Sequence, residues 1–184
     1  MIYPIHLYGL PVLRKVAEDV TPDFEGLEQL IQDMYQTLEA SDGIGLAAPQ
    51  IGIPKRILVV DLTILEDELE PDQQVKMTML NAQILERSGE NETMEEGCLS
   101  LPGISEKVTR KNTIRVRYQN EKFETIESEF SGFLARVIQH EYDHLDGMLF
   151  IDHLSPIRKQ LIKGKLKDIL QGKARCDYRT KSAQ

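Results

Sequence analysis

The stretch that decides the fold is QHEYDH, residues 139–144. In a helix, His140 and His144 lie one turn apart on the same face, so both imidazoles can bind one cation. Glu141 is then beside that cation, where a carboxylate can move protons to and from an activated water. The alternative is that both histidines simply lie on an exposed helical face. Because two of the four histidines of the chain share this spacing with a glutamate, the pattern favours a metal site.

The segments around this stretch predict helices and strands that alternate along the chain. Helical spacing of apolar residues distinguishes the helices, and short runs with period-two alternation distinguish the strands. The predicted elements are a short helix at 11–17, a helix from about 22 to 40, strands at 56–61 and 77–86, a hairpin at 113–119 and 123–130, a helix from 132 to 146 and a last helix at 156–170. The sequence thus predicts an α+β fold, with mostly antiparallel sheets around a central metal-binding helix and with an N-terminal and a C-terminal helix.

Length and composition predict one domain. The chain has 184 residues, of which 41% are hydrophobic, enough for a sizeable core. We therefore expect a single catalytic domain over 1–184, with an exposed acidic loop at 65–74 and a polar, disordered tail at 172–184.

The charge balance bears on partners and location. The net charge of −8 at pH 7 argues against non-specific binding to nucleic acid or to an anionic membrane. We also expect no specific nucleic acid sequence among the partners. The N-terminus lacks a signal-peptide pattern and no apolar run is long enough for a membrane span. We expect a cytoplasmic protein whose two cysteines are both free.

A catalytic metal usually has three protein ligands, so the histidine pair needs another donor. Cys98 is the candidate, since it lies in the segment EGCLS, residues 96–100, where a glycine lets the backbone come close. On composition alone, however, a lone cysteine is more often a small buried hydrophobic residue. Both interpretations stay open at this point.

Three separated motifs occur together and in order, and with them the chain resembles the peptide deformylases. The pattern Gly-x-Gly-x-Ala-Ala-x-Gln matches residues 43–50, Glu-Gly-Cys-x-Ser matches residues 96–100, and Gln-His-Glu-x-x-His matches residues 139–144. The likeness runs from about residue 11 to residue 156. It differs from the familiar pattern in the acidic loop 65–74 and in the segment 103–106, which follows the cysteine motif.

The resemblance implies a metal-dependent hydrolase that removes the formyl group from N-terminal formyl-methionine and releases formate. It makes Cys98, His140 and His144 the metal ligands and Glu141 the general acid and base. The family metal is Fe²⁺, with Zn²⁺, Ni²⁺ or Co²⁺ as substitutes, and one thiolate with two imidazoles suits such ions.

The resemblance also implies roles for the residues around the metal. The oxyanion is stabilised by the Gln50 side-chain amide and by the Leu99 backbone N–H, and Glu96 pairs with Arg110. We expect the remaining motif and helix residues to form the substrate site, with an apolar slot for methionine: Gly43, Ile44, Gly45, Phe133 and Val137. The implied partners are formyl-methionyl nascent peptides and, transiently, the ribosome.

Two competing interpretations make different predictions. A metallopeptidase with an HExxH helix would cleave internal peptide bonds and commonly takes a downstream Glu or His as its third ligand. A structural metal-binding module would have a closed site with four ligands, and its function would not need Glu141.

Overall fold

The computed structural model describes residues 1–68 and 76–184 and contains both sheets and helices. The helices are α1 (Leu27–Glu39), α2 (Gly132–Leu145) and α3 (Pro156–Leu170). The strands are β1 (Ile5–His6), β2 (Gly45–Ala47), β3 (Ile57–Asp61), β4 (Lys76–Gly97), β5 (Ser105–Gln119), β6 (Thr125–Ser131) and β7 (Thr180–Lys181).

Five of these strands form one antiparallel sheet in the order β2-β3-β4-β5-β6, while β1 and β7 pair in parallel. The predicted α+β fold around a central helix is confirmed, and the strand predicted at 77–86 is longer than expected. It continues to Gly97 because β4 and β5 form a long hairpin, whose register shifts at three places between Leu80 and Asn91. Such irregularities bend a strand. The hairpin places Cys98 directly after the end of β4.

Helix α2 is central because it is buried along almost its whole length. Leu134, Ala135, Ile138 and Leu145 pack in a core cluster with residues of β3, β4 and β5. Each fully buried aliphatic side chain contributes about 1.5–3 kcal/mol. A second cluster joins α1 to β1 and to the turn after β4, and it includes Phe150. Of the predicted metal ligands, Cys98 packs against this second cluster, and the His140 ring stacks on Phe150 with centroids 5.8 Å apart.

Two predicted helices are shorter than the sequence suggests. Residues Pro11–Arg14 form a 3₁₀ turn, and α1 begins after Gly26, which has a left-handed backbone (φ 75°), rather than directly after Pro22. A left-handed conformation is easily adopted by glycine, so the chain can turn there before the helix starts.

Residues 172–184, for which the sequence predicts a disordered tail, instead follow a defined path. Ile5 N–H donates to Arg179 O at 2.8 Å and Leu7 N–H donates to Lys181 O at 2.9 Å. Backbone hydrogen bonds to β1 hold this polar segment in place. Such pairing does not depend on hydrophobic side chains, so the hydrophobic pattern of the sequence does not predict it.

The structure describes only part of the predicted acidic loop at 65–74. Residues Thr63–Glu68 form a 3₁₀ helix, and residues 69–74 lie outside the described residues. In the described part of the chain, no helix has the length and apolarity needed to cross a membrane.

Candidate active site

The end of β4 and one face of α2 bring the three predicted metal ligands together. Cys98 Sγ lies 3.3 Å from His144 Nε2. One ligand atom each from Cys98, His140 and His144 lies within 4.8 Å of the other two. The imidazole rings of the histidines are edge to face, with centroids 5.4 Å apart, as expected for residues one turn apart on a helix.

The Cys98 side chain is poised to bind a cation. Burial alone would raise the pKa of the thiol, but the charge and hydrogen bonds of His144 and His140 lower that pKa to about 5. The thiolate, rather than the thiol, is the form that binds metals. The competing interpretation of Cys98 as a buried hydrophobic residue does not account for its two imidazole neighbours.

Glu96, near the end of β4, is the centre of a buried charge cluster. Its carboxylate accepts hydrogen bonds from His140 Nδ1 at 2.8 Å, Arg110 Nε at 2.7 Å and Arg136 NH1 at 2.9 Å. Burial alone would raise the pKa of Glu96, but hydrogen bonds from His140 and Arg110 hold it well below its ordinary value. Because an ionised carboxylate only accepts, Nδ1 of His140 carries the proton, which leaves Nε2 free to bind a metal.

Glu141 projects into the same region and is 4% exposed. Burial raises the pKa of its carboxyl group to about 7, a value suited to both accepting and returning a proton. The backbone of Gly45 lies against it, since a Cβ added at position 45 would be 2.5 Å from Glu141 Oε1. A glycine at this position leaves room for the carboxylate, which a larger residue would displace.

Gln50 is held in one orientation. Its Oε1 accepts from Ala47 N–H at 2.9 Å, while Nε2 lies 3.3 Å from Ser100 Oγ and 3.5 Å from Cys98 Sγ. The amide group of Gln50 consequently faces the cysteine, next to Leu99. The structure thus places both predicted oxyanion donors beside the predicted ligands.

The donor set fits a divalent transition metal. A thiolate and two imidazoles match the ligands of such ions, and three protein ligands are typical of a catalytic rather than a structural site. Two buried polar atoms here, Glu141 Oε2 and His144 Nδ1, have no hydrogen-bond partner among the described residues. Buried polar atoms usually have partners, so the unpartnered Glu141 Oε2 indicates a further polar group at this site. His144 Nδ1 is the ring nitrogen that does not face Cys98, so it does not add to this argument.

A family model described as polypeptide deformylase matches residues 2–160. The chain belongs to the polypeptide deformylase family.

Close relatives agree with this assignment over the full length. A peptide deformylase of Flavobacterium psychrophilum is 46% identical, with 98% of this chain and 97% of the relative covered. One of Flavobacterium johnsoniae is 47% identical, with 100% and 97% covered. The chain is therefore an enzyme of the deformylase family.

Solved deformylase structures share the fold. The crystal structure of the Thermotoga maritima enzyme matches with a TM-score of 0.75 at 44% sequence identity. The match covers 85% of this chain and 99% of the Thermotoga chain. A Legionella pneumophila deformylase has a TM-score of 0.81 at 35% identity, with 95% and 99% covered.

A cavity of about 900 Å³ opens onto the deformylase site. Cys98, Leu99, Gln50, His140 and Glu141 line it. The predicted substrate-binding residues line it as well: Gly43, Ile44, Gly45, Phe133 and Val137. The segment after the cysteine motif, in which this deformylase differs from the familiar pattern, contributes Gly103, Ile104 and Ser105 to the cavity wall.

Sequence reasoning missed two contributors to the charge cluster. Arg136 donates to Glu96 and also to the carbonyl of Val108 at 2.9 Å. Its position four residues before His140 was a usable signal, because both side chains then lie on the same helical face. His153, to which no sequence motif assigns a role, has its Nε2 2.8 Å from Asp143 Oδ2, which also accepts from Arg110 NH1 at 2.9 Å.

The C-terminal tail is a further contributor that the sequence did not indicate. Arg175, Cys176, Asp177 and Tyr178 line the same cavity. The tail reaches the site through the β1–β7 pairing, which no local sequence signal predicts.

Proposed function

We propose that residues 1–184 form a single catalytic domain in which the site described above removes the N-formyl group from formyl-methionyl nascent polypeptides. The observation that carries this proposal is that Cys98 and His140, which cluster with His144, line one cavity together with Glu141 and Gln50. The products of the reaction are formate and a peptide with a free N-terminal amine.

In this proposal, Cys98, His140 and His144 bind the metal. A bound divalent metal supplies Lewis-acid activation of water and of the formyl oxygen. Glu141 accepts a proton from the attacking water and returns it to the nitrogen as the carbon–nitrogen bond breaks. A carboxyl group whose pKa lies near 7 can do both at neutral pH.

The oxyanion that forms on the formyl group needs donors that are already in place. We assign this role to the side-chain amide of Gln50 and the backbone N–H of Leu99. The support is that Ala47 N–H fixes the oxygen end of the Gln50 side chain and so directs its NH₂ group toward Cys98.

The methionine side chain of the substrate needs an apolar surface. Ile44, Phe133 and Val137 provide one along the cavity, and Gly43 and Gly45, which also line it, are assigned to the approach of the substrate backbone. Ile44 and Phe133 are only partly buried, so they can contact a ligand as well as the core.

We assign Fe²⁺ as the native ion, with Zn²⁺, Ni²⁺ or Co²⁺ as working substitutes, because a thiolate with two imidazoles suits all of these ions. Metal analysis after anaerobic purification distinguishes them. An Fe²⁺ site with a thiolate ligand should lose activity in air through oxidation of Cys98.

We further propose that the enzyme acts in the cytoplasm and associates transiently with the ribosome, where its substrate emerges. Helix α3 supports this, because it presents exposed basic residues although the whole chain is acidic: Arg158, Lys159, Lys163, Lys165 and Lys167. Co-sedimentation with ribosomes that weakens as salt rises would fit such an electrostatic contact.

The test of the function is formate release from a formyl-methionyl peptide, compared with cleavage of the same peptide without the formyl group. Glu141→Ala should keep the metal and lose turnover by about 10²–10⁴-fold. Glu124→Ala, which removes an exposed carboxylate at the β5–β6 turn, is the matched control.

Cleavage of the unformylated peptide alone would favour the metallopeptidase interpretation. Undiminished turnover in Glu141→Ala would exclude the proposed role of Glu141. Absence of any formate release or peptide cleavage by the metal-loaded protein would favour the interpretation as a structural metal-binding module.

A further inference from the structure

The C-terminal tail touches the catalytic turn through one side chain. The hydroxyl group of Tyr178 donates to the carbonyl oxygen of Leu99 at 2.7 Å. Tyr178 is partly buried and packs against the same core cluster as Cys98 and Leu99. The family match ends at residue 160, so it assigns no role to this contact.

Successive carbonyl groups of the turn at 98–101 have different partners. Cys98 O accepts from Leu101 N–H at 2.9 Å, and Ser100 O accepts from Tyr8 N–H at 2.9 Å. Within the described residues, Leu99 O is the one carbonyl of this turn that is held by a side chain. The orientation of Leu99 can therefore be changed by a substitution, whereas the backbone contacts around it cannot.

The tail is itself anchored, so it can hold the turn in place. β7 follows Tyr178 by two residues and pairs with β1. The next residues after β1 lead to Tyr8, which donates to the same turn. Tyr8, which follows β1, and Tyr178, which precedes β7, thus both contact the segment that carries Cys98 and Leu99.

We propose that Tyr178 is a positioning residue for deformylation. Its hydrogen bond to Leu99 O fixes the Leu99–Ser100 peptide plane, while Leu101 N–H, through Cys98 O, holds the Cys98–Leu99 plane that carries the Leu99 N–H. With both planes around its Cα held, Leu99 keeps one backbone conformation and its N–H one direction. The inference rests on the proposed role of that N–H as an oxyanion donor. A donor must lie in place before charge develops, because reorientation during the reaction reduces the stabilisation that it gives. Tyr178 acts on the reaction only through Leu99.

The test is Tyr178→Phe in the full-length, metal-loaded enzyme, assayed with a formyl-methionyl tripeptide. We expect kcat to fall about 3- to 10-fold, the size of effect that one neutral hydrogen bond can produce, with KM changed less than about 2-fold. Metal content and the unfolding midpoint should match those of the unchanged enzyme. Tyr3→Phe is the control, since it removes the same group from a residue whose backbone N–H bonds to Thr37 Oγ1 of α1.

The other outcomes overturn the inference. A lower unfolding midpoint with unchanged kcat would make Tyr178 an anchor of the tail only. A rise in KM alone would make it a substrate contact. If the unchanged enzyme released no formate, the proposed function would fail, whereas equal kcat values for an active enzyme and Tyr178→Phe would refute this inference alone.

Discussion

Replacing Glu96 by glutamine should affect both folding and metal binding. The Glu96 side chain is 4% exposed and those of Arg110 and Arg136 are each 6% exposed, so the three charges are almost fully removed from water. Glu96→Gln keeps the shape but removes the charge that balances the guanidinium groups. Breaking a buried ion pair from one side typically costs about 3–5 kcal/mol, and we expect a loss of this size in the free energy of unfolding.

The same substitution should weaken the metal site through His140. The carboxylate that accepts from His140 Nδ1 at 2.8 Å orients the ring and makes it a better ligand. Loss of such a partner typically reduces metal affinity by about 10- to 100-fold. Denaturant unfolding of the metal-free protein measures the first effect, and competition with a chelator measures the second. Glu95→Gln is the control, because the neighbouring Glu95 is exposed.

The pH dependence gives an independent check. Since the folded-state pKa of Glu96 lies below its ordinary value, its contribution to stability is present above that ordinary pKa and is lost as pH falls toward the folded-state pKa. The stability difference between the unchanged protein and Glu96→Gln should therefore shrink in acid. Equal stability to within about 0.5 kcal/mol at neutral pH, together with equal metal affinity, would refute the reasoning.

Three further predictions concern the catalytic groups. Gly45→Ala should reduce turnover without loss of metal, because the new Cβ would lie 2.5 Å from Glu141 Oε1; an unchanged kcat would show that the carboxylate can move aside. Gln50→Ala should lower kcat by about 10²–10³-fold if the amide stabilises the oxyanion, and a change in KM alone would argue against that role. In the metal-free protein the pKa of the Cys98 thiol is about 5, so the thiol is ionised throughout the range from about pH 6.5 to 8.5. The alkylation rate of Cys98 should therefore be nearly constant over this range. Peptide mass analysis distinguishes alkylation of Cys98 from that of Cys176. A steady tenfold rise per pH unit would contradict the lowered pKa.

Local periodicity was enough to predict the central part of the site. The spacing of His140 and His144 places both imidazoles on one face of α2 whatever the rest of the fold does. The family resemblance then supplied Cys98 and Gln50, whose approach depends on the β4–β5 hairpin and on β2. Spacing alone could not have chosen Cys98, since a lone cysteine has a common structural explanation.

The contacts that were missed depend on long-range packing. His153 reaches Asp143 through the 3₁₀ turn Phe150–His153, and Tyr178 reaches Leu99 through a parallel pairing of the two ends of the chain. Neither contact leaves a periodic signal, because each joins single side chains from separate segments. The polar composition of the tail even pointed toward disorder, since it gives no sign of backbone hydrogen bonds to β1.

The predicted Glu96–Arg110 pair does not by itself balance the buried charges of this cluster. Arg136 is also buried against Glu96, so one carboxylate would face two guanidinium groups and leave an uncompensated positive charge near a site that binds a cation. Asp143, which accepts from Arg110 NH1 at 2.9 Å, supplies the second negative charge. Two carboxylates then balance two guanidinium groups, which makes burial of all four tolerable. It follows that Asp143→Asn should destabilise the fold in the same sense as Glu96→Gln but should weaken metal binding less, because only Glu96 contacts His140 among the described members of this cluster.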